Sequence, residues 1–79
     1  MIDYLVHEKD ELYQLILAEK YEDAMLRLLN CRERWELASY GYKFRELRET
    51  IIRNIKENIF QASHWKTRKK WEKVLEKVS

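Results

Sequence analysis

Seventy-nine residues carry 46% hydrophobic and 38% charged side chains, one glycine, one cysteine and no proline, with a formal net charge of +2. Sheet folds need turn residues about every 8–12 positions, so a sandwich, a barrel and a doubly wound α/β fold are excluded, and so apolar a chain is not disordered. The lone Cys31 excludes an internal disulfide scaffold, and no apolar run approaches the roughly 18 residues that span a bilayer. An all-α fold remains: one helical domain over residues 1–79, a three- or four-helix antiparallel bundle completed by homodimerisation. With no secretory pattern at its start, the chain is expected to be cytoplasmic, without a membrane partner.

Residues 3–19 place Leu5, Leu12 and Ile16 on one stripe, with Val6, Tyr13 and Leu17 beside it. This is the period of a helix with one buried face. Lys9 interrupts the stripe, which predicts a loose first turn and a regular helix from Asp10 as N-cap. Ala18 to Ala24 is the predicted first reversal, where Glu22 and Asp23 suit the positive first turn of a second helix. That helix directs Met25, Leu28, Leu29, Trp35 and Ala38 inward. No internal repeat accompanies it, because Tyr21-Glu22-Asp23-Ala24 has no second copy.

Gly41 leaves two paths open. It can be the left-handed residue that ends the second helix, although no Ser, Thr, Asp or Asn just beyond it caps a third. Alternatively the stripe Leu37, Tyr40, Phe44, Leu47, Ile51, Ile55, Ile59 runs through without a phase jump, giving one helix of about 60 Å over residues 21–62. Such a rod needs a second subunit to cover its stripe. Residues 42–62 are helical on either path, with Phe44, Leu47, Ile51, Ile52, Ile55, Ile59 and Phe60 on the apolar face. Arg45, Glu49, Arg53 and Glu57 form a solvated ladder opposite, each i,i+4 pair worth about 0.3 kcal/mol. Ser63 is the predicted cap of a last helix over 64–78, whose buried stripe is Trp71, Val74, Leu75 and Val78.

The net charge conceals a gradient. Residues 1–30 hold seven acids against three bases, and residues 64–79 hold six bases against two acids. Either the ends attract one another, within a monomer or across a dimer, or the basic end meets an anionic partner. Lys66, Arg68, Lys69 and Lys70 stand in the first turns of the last helix, where the dipole disfavours cations by about 0.3–1 kcal/mol each. A phosphate backbone would compensate them together with Lys73, and Trp65 could stack on a base. The plainer reading is compensation by the acidic first segment or by water.

Catalytic and metal chemistry find little footing, so neither an enzyme nor a cofactor is expected. His7 and Glu11 are spaced i,i+4, but a metal site needs three or four ligands, and a surface ion pair is the simpler reading. Cys31 has Arg32 and Arg34 nearby, which would activate a thiol, yet no His-Asp pair accompanies it, and a small buried hydrophobe fits better. No glycine-rich loop can cradle a phosphate. The ten aromatics, 13% of the chain, exceed what so small an interior holds. Tyr4, Tyr21, Tyr40, Tyr42 and Trp65 are the expected surface members, and aromatics on a charged surface favour interfaces. The leading expectation is therefore a non-enzymatic protein–protein interaction module, a small regulator or inhibitor that binds another protein or itself through Tyr40, Tyr42 and Trp65. The alternative is a nucleic-acid-binding protein using Trp65, Lys66, Arg68, Lys69, Lys70 and Lys73. That alternative requires those cations to be exposed together and unpaired.

Overall fold

A computed structural model describes residues 3–79. Four helices follow one another with three-residue connections: α1 (Asp3–Leu17), α2 (Tyr21–Leu37), α3 (Gly41–Gln61) and α4 (Trp65–Val78). No strand occurs among the described residues, and neighbouring helices pack as in a bundle. The α3–α4 interface is the most extensive, followed by α2–α3 and α1–α2, and α4 also touches α2. One apolar cluster joins all four, from Leu5, Leu12 and Ile16 through Leu28, Trp35, Leu47, Ile51 and Ile55 to Trp71.

The helices stop without glycine. Glu19 and Ser39 hold the left-handed conformation, with φ of 59° and 60°. At the first stop the Lys20 amide donates to the Leu15 carbonyl at 2.9 Å and the Glu19 amide to Ile16 at 3.0 Å. At the second, Tyr40 donates to Trp35 at 2.7 Å and Ser39 to Glu36 at 3.1 Å. Both patterns are Schellman motifs, which satisfy carbonyls that the helix end leaves orphaned. The hydrophobic contact that completes such a motif is present at the second stop, where the Tyr40 ring meets Trp35 edge-on at 5.2 Å. A left-handed L-residue costs about 1–2 kcal/mol, which the amide bonds and the aromatic contact offset.

These stops correct several expectations. The continuous helix over 21–62 does not form, and Gly41 is not the left-handed residue; it opens α3 with no positive φ. A Cβ there would meet Glu36 at 3.5 Å and Arg45 at 3.8 Å, ordinary contacts, so the fold does not demand glycine at this position. The N-cap of α4 is His64, not Ser63: its Nδ1 accepts the Lys66 amide at 3.2 Å. α1 runs unbroken past Lys9 rather than starting at Asp10.

The stripe of α3 buries Phe44, Leu47, Ile51 and Ile55 as expected, but Phe60 is 86% exposed. Phe60 lies about 100° beyond the half-buried Ile59, clear of the core. The ladder Arg45, Glu49, Arg53, Glu57 is solvent-exposed, and none of its i,i+4 pairs closes to an ion pair among the described residues. Leu29 on α2 and Ala38 just past its end face solvent, and the buried set is Tyr21, Ala24, Met25, Leu28, Cys31 and Trp35. Tyr21, expected at the surface, is 5% exposed and meets Trp71 edge-on at 5.4 Å.

The molecule is drawn out, 46 × 19 × 15 Å, with a radius of gyration of 13.6 Å. A globule of this length would have about 12 Å. α1 extends along α2, which leaves the acidic first helix and the basic last helix apart. No ion pair joins α1 to α4 among the described residues.

Candidate nucleic-acid interface

α4 is anchored on one side and charged on the other. Trp71 is buried, with Val74, Leu75 and Val78 half-buried beside it, and these fix the rotation of the helix against α2 and α3. Successive steps of about 100° then bring Lys66, Lys69, Lys70, Lys73 and Lys77 within an arc of about 100°. All five are exposed. With Trp65 and Val74 they line an open groove of about 530 Å³, in which Glu22 is the one acid. Glu22 pairs with Lys77 at 3.7 Å, and Lys66, Lys69, Lys70 and Lys73 make no ion pair among the described residues. The acidic stretch 1–30 thus meets α4 through Glu22 at its Lys77 end, and no ion pair from α1 reaches the other four lysines among the described residues.

Trp65 is 65% exposed and stacks on His64, with ring centres 6.1 Å apart and planes 19° apart. The Lys66 ammonium lies 5.7 Å from the indole centre. At the inner edge, the Lys70 ammonium sits 4.9 Å from the Trp71 ring, a cation–π contact that shares the charge with the core wall. No acid stands in the first turn of α4 to neutralise the positive end of the helix dipole.

The groove differs by two residues from the set read in the sequence. Arg68 lies about 200° around the helix from Lys66, on the far flank of the buried stripe, and is exposed there rather than in the groove. Lys77, absent from the sequence-read set, lines the groove. Both placements follow from the helical phase that Trp71 and Val74 set.

The expected aromatic surface is divided. Tyr40 is half-buried against Trp35, and Tyr42, 57% exposed, meets Tyr40 edge-on at 5.3 Å. This pair stands at the start of α3, and Trp65 follows its end. The 21 residues of α3 between them span about 32 Å, so the three aromatics do not form one patch. A separate apolar stripe lies on α2, where Leu26, Leu29 and Leu37 are 61%, 49% and 82% exposed within an arc of about 80°.

A polar node lies between α1 and α2. The half-buried Glu8 carboxylate accepts from the Cys31 thiol at 2.8 Å, from the Trp35 indole at 3.2 Å and from the Arg34 guanidinium. Burial pushes the Glu8 carboxyl up, but the bonds from Cys31, Arg34 and Trp35 and the Arg34 charge outweigh it, leaving its pKa below the ordinary 4.5. Burial, then the bond and charge of Glu8, push the Cys31 thiol up to about 11. The arginine beside Cys31 thus serves the carboxylate and does not activate the thiol, which stays protonated near neutral pH. Glu11 pairs with Arg27 rather than His7. Among the described residues no group of three or more His, Cys, Asp or Glu could hold a metal ion. No family model, curated protein or solved structure matches this chain.

Proposed function

We propose that this chain is a non-enzymatic nucleic-acid-binding protein that holds a phosphate backbone along α4. One observation carries the reading: Lys66, Lys69, Lys70 and Lys73 share one open groove with Trp65, exposed and without ion pairs among the described residues. Cations gathered on one side at the positive end of a helix repel one another, and an anionic polymer relieves that repulsion along its length. The groove also has an apolar wall, which suits sugar and base surface more than a small free anion. Four or five phosphate contacts predict that affinity falls about 50- to 130-fold for a single strand, and about 150- to 500-fold for a duplex, between roughly 50 and 200 mM salt. Titration with mixed-sequence DNA and RNA, followed by tryptophan fluorescence, measures this. Lys69→Gln with Lys70→Gln should reduce the salt slope by about 2. Binding indifferent to salt, or a double variant that binds like the parent, would reject the reading.

The leucine stripe on α2 favours a second reading, a protein-interaction module of antiparallel helices that self-associates. Leu26, Leu29 and Leu37 expose apolar surface opposite the buried side of their helix. Two copies joined along this stripe would remove it from water. Sedimentation equilibrium at tens of micromolar is expected to give a dimer that Leu26→Lys with Leu37→Lys converts to monomer. A monomeric parent would dispose of the dimer.

A further inference from the structure

We infer that the polymer held along α4 is single-stranded, with one of its bases stacked on Trp65. The inference rests on the α4 reading and adds the form of the ligand to it. A duplex keeps the faces of its bases covered by their neighbours, so it could use the lysines but not an exposed indole. An unpaired strand offers both a backbone and free base faces, and stacking tolerates any sequence because every base has a π-face. The arrangement supplies the two in register. Trp65 stands at one end of the groove, and Lys66, Lys69, Lys70 and Lys73 follow from it along α4.

The indole is also held ready. His64 is fixed as the N-cap by accepting the Lys66 amide at 3.2 Å, and Trp65 stacks on the imidazole at 6.1 Å. The platform therefore needs little ordering when a base arrives, which lowers the entropic cost of binding. The Lys66 ammonium lies over the indole ring, 5.7 Å from its centre, at the end of a flexible chain that an arriving base displaces toward its neighbouring phosphate. From Trp65 to Lys77 the helix rises about 18 Å, enough to follow a few phosphates of one strand.

Three ligands of about 12 nucleotides test this: a mixed-sequence strand, its duplex, and an abasic strand of the same length. Fluorescence anisotropy at low salt is expected to place the strand about tenfold or more ahead of both others. Trp65→Ala should weaken binding of the strand by about 5- to 150-fold and leave the abasic strand unchanged. Trp65→Phe should recover most of the loss, since a phenyl ring still stacks. Circular dichroism of each variant checks that the helices persist, as expected for a residue so exposed.

Two results would overturn the inference while leaving the α4 reading in place. One is a duplex bound as tightly as the strand. The other is a Trp65→Ala variant that loses the same factor on the abasic strand. Absence of salt-sensitive binding to all three ligands would overturn both.

Discussion

Trp35→Ala is expected to leave the protein largely unfolded at 25 °C. Trp35 is fully buried where α2 meets its neighbours, touches Tyr40 edge-on and donates its indole N–H to Glu8. Truncating a buried tryptophan costs about 3–5 kcal/mol in lost transfer and residual cavity. A helical core of under 80 residues rarely holds more than about 3–5 kcal/mol in all. The loss therefore matches the whole reserve. Urea titration followed by circular dichroism should show a cooperative transition for the parent and none for the variant. Trp35→Phe is expected to retain the transition with a loss of about 1–3 kcal/mol, because it keeps apolar contact but leaves Glu8 short of a donor. A Trp35→Ala protein melting within a few degrees of the parent would mean that the core does not centre on this residue. Trp65→Ala provides the contrast: at 65% exposure it should change stability by no more than about 0.5 kcal/mol. One tryptophan belongs to the fold and the other to the proposed ligand.

The fold was legible wherever a single period ran uninterrupted. Phe44, Leu47, Ile51 and Ile55 return to the same side of α3 every three or four residues, and all four are buried. Phe60 falls outside that period, because one residue beyond Ile59 turns the helix by about 100°. The path at the second turn stays open in the sequence for a different reason. Glycine is the usual mark of a left-handed stop, and the chain's one glycine stands two residues beyond Ser39, which takes that conformation. What holds Ser39 there is the contact of Tyr40 with Trp35, and no local pattern announces it. On α2, Tyr21, Ala24, Leu28, Cys31 and Trp35 keep alternating three- and four-residue spacing and are all buried. Composition set Tyr21 outside while its spacing had already set it inside.

The candidate interface was partly legible in the same way. The basic cluster stood out as a run along the chain, but a run is not a side of a helix. Counting about 100° per residue from the buried Trp71 separates Arg68 from the lysines and adds Lys77. The platform beneath Trp65 was out of reach, because it depends on His64 serving as the cap. Glu8 was missed altogether. It stands three residues after Leu5 and four before Leu12, where the stripe calls for an apolar side chain. Its partners Cys31, Arg34 and Trp35 arrive from 23 to 27 residues away.

Removing that carboxylate by Glu8→Ala is expected to lower stability by about 2–3 kcal/mol, since it strands the buried Trp35 N–H and unties α1 from α2. The same node should give a distinctive dependence on pH. The folded-state pKa of Glu8 lies below its ordinary 4.5, so the folded protein holds the charged form more strongly than the unfolded chain does. Its contribution is thus fully present above the ordinary value and is lost as pH falls toward the depressed one. Glu8→Gln cannot follow that change. The stability gap between parent and Glu8→Gln should be largest near neutral pH and narrow steadily below about pH 4.5, because a protonated Glu8 resembles the amide. A gap that does not vary with pH would show that the carboxylate's charge plays no part. Cys31 acts in the opposite direction. Its pKa is raised from 9.0 to about 11, so the folded state favours the protonated thiol, and stability present below pH 9.0 is lost as pH rises toward 11. Cys31→Ser should remove most of that alkaline loss, with the part due to Tyr21 remaining, since burial, then the charge of Glu19, raises the Tyr21 phenol above 10.0. Urea titrations of the parent and both variants across pH would therefore trace two limbs to one contact, the thiol that donates to the Glu8 carboxylate. The acid limb belongs to the acceptor and the alkaline limb to the donor.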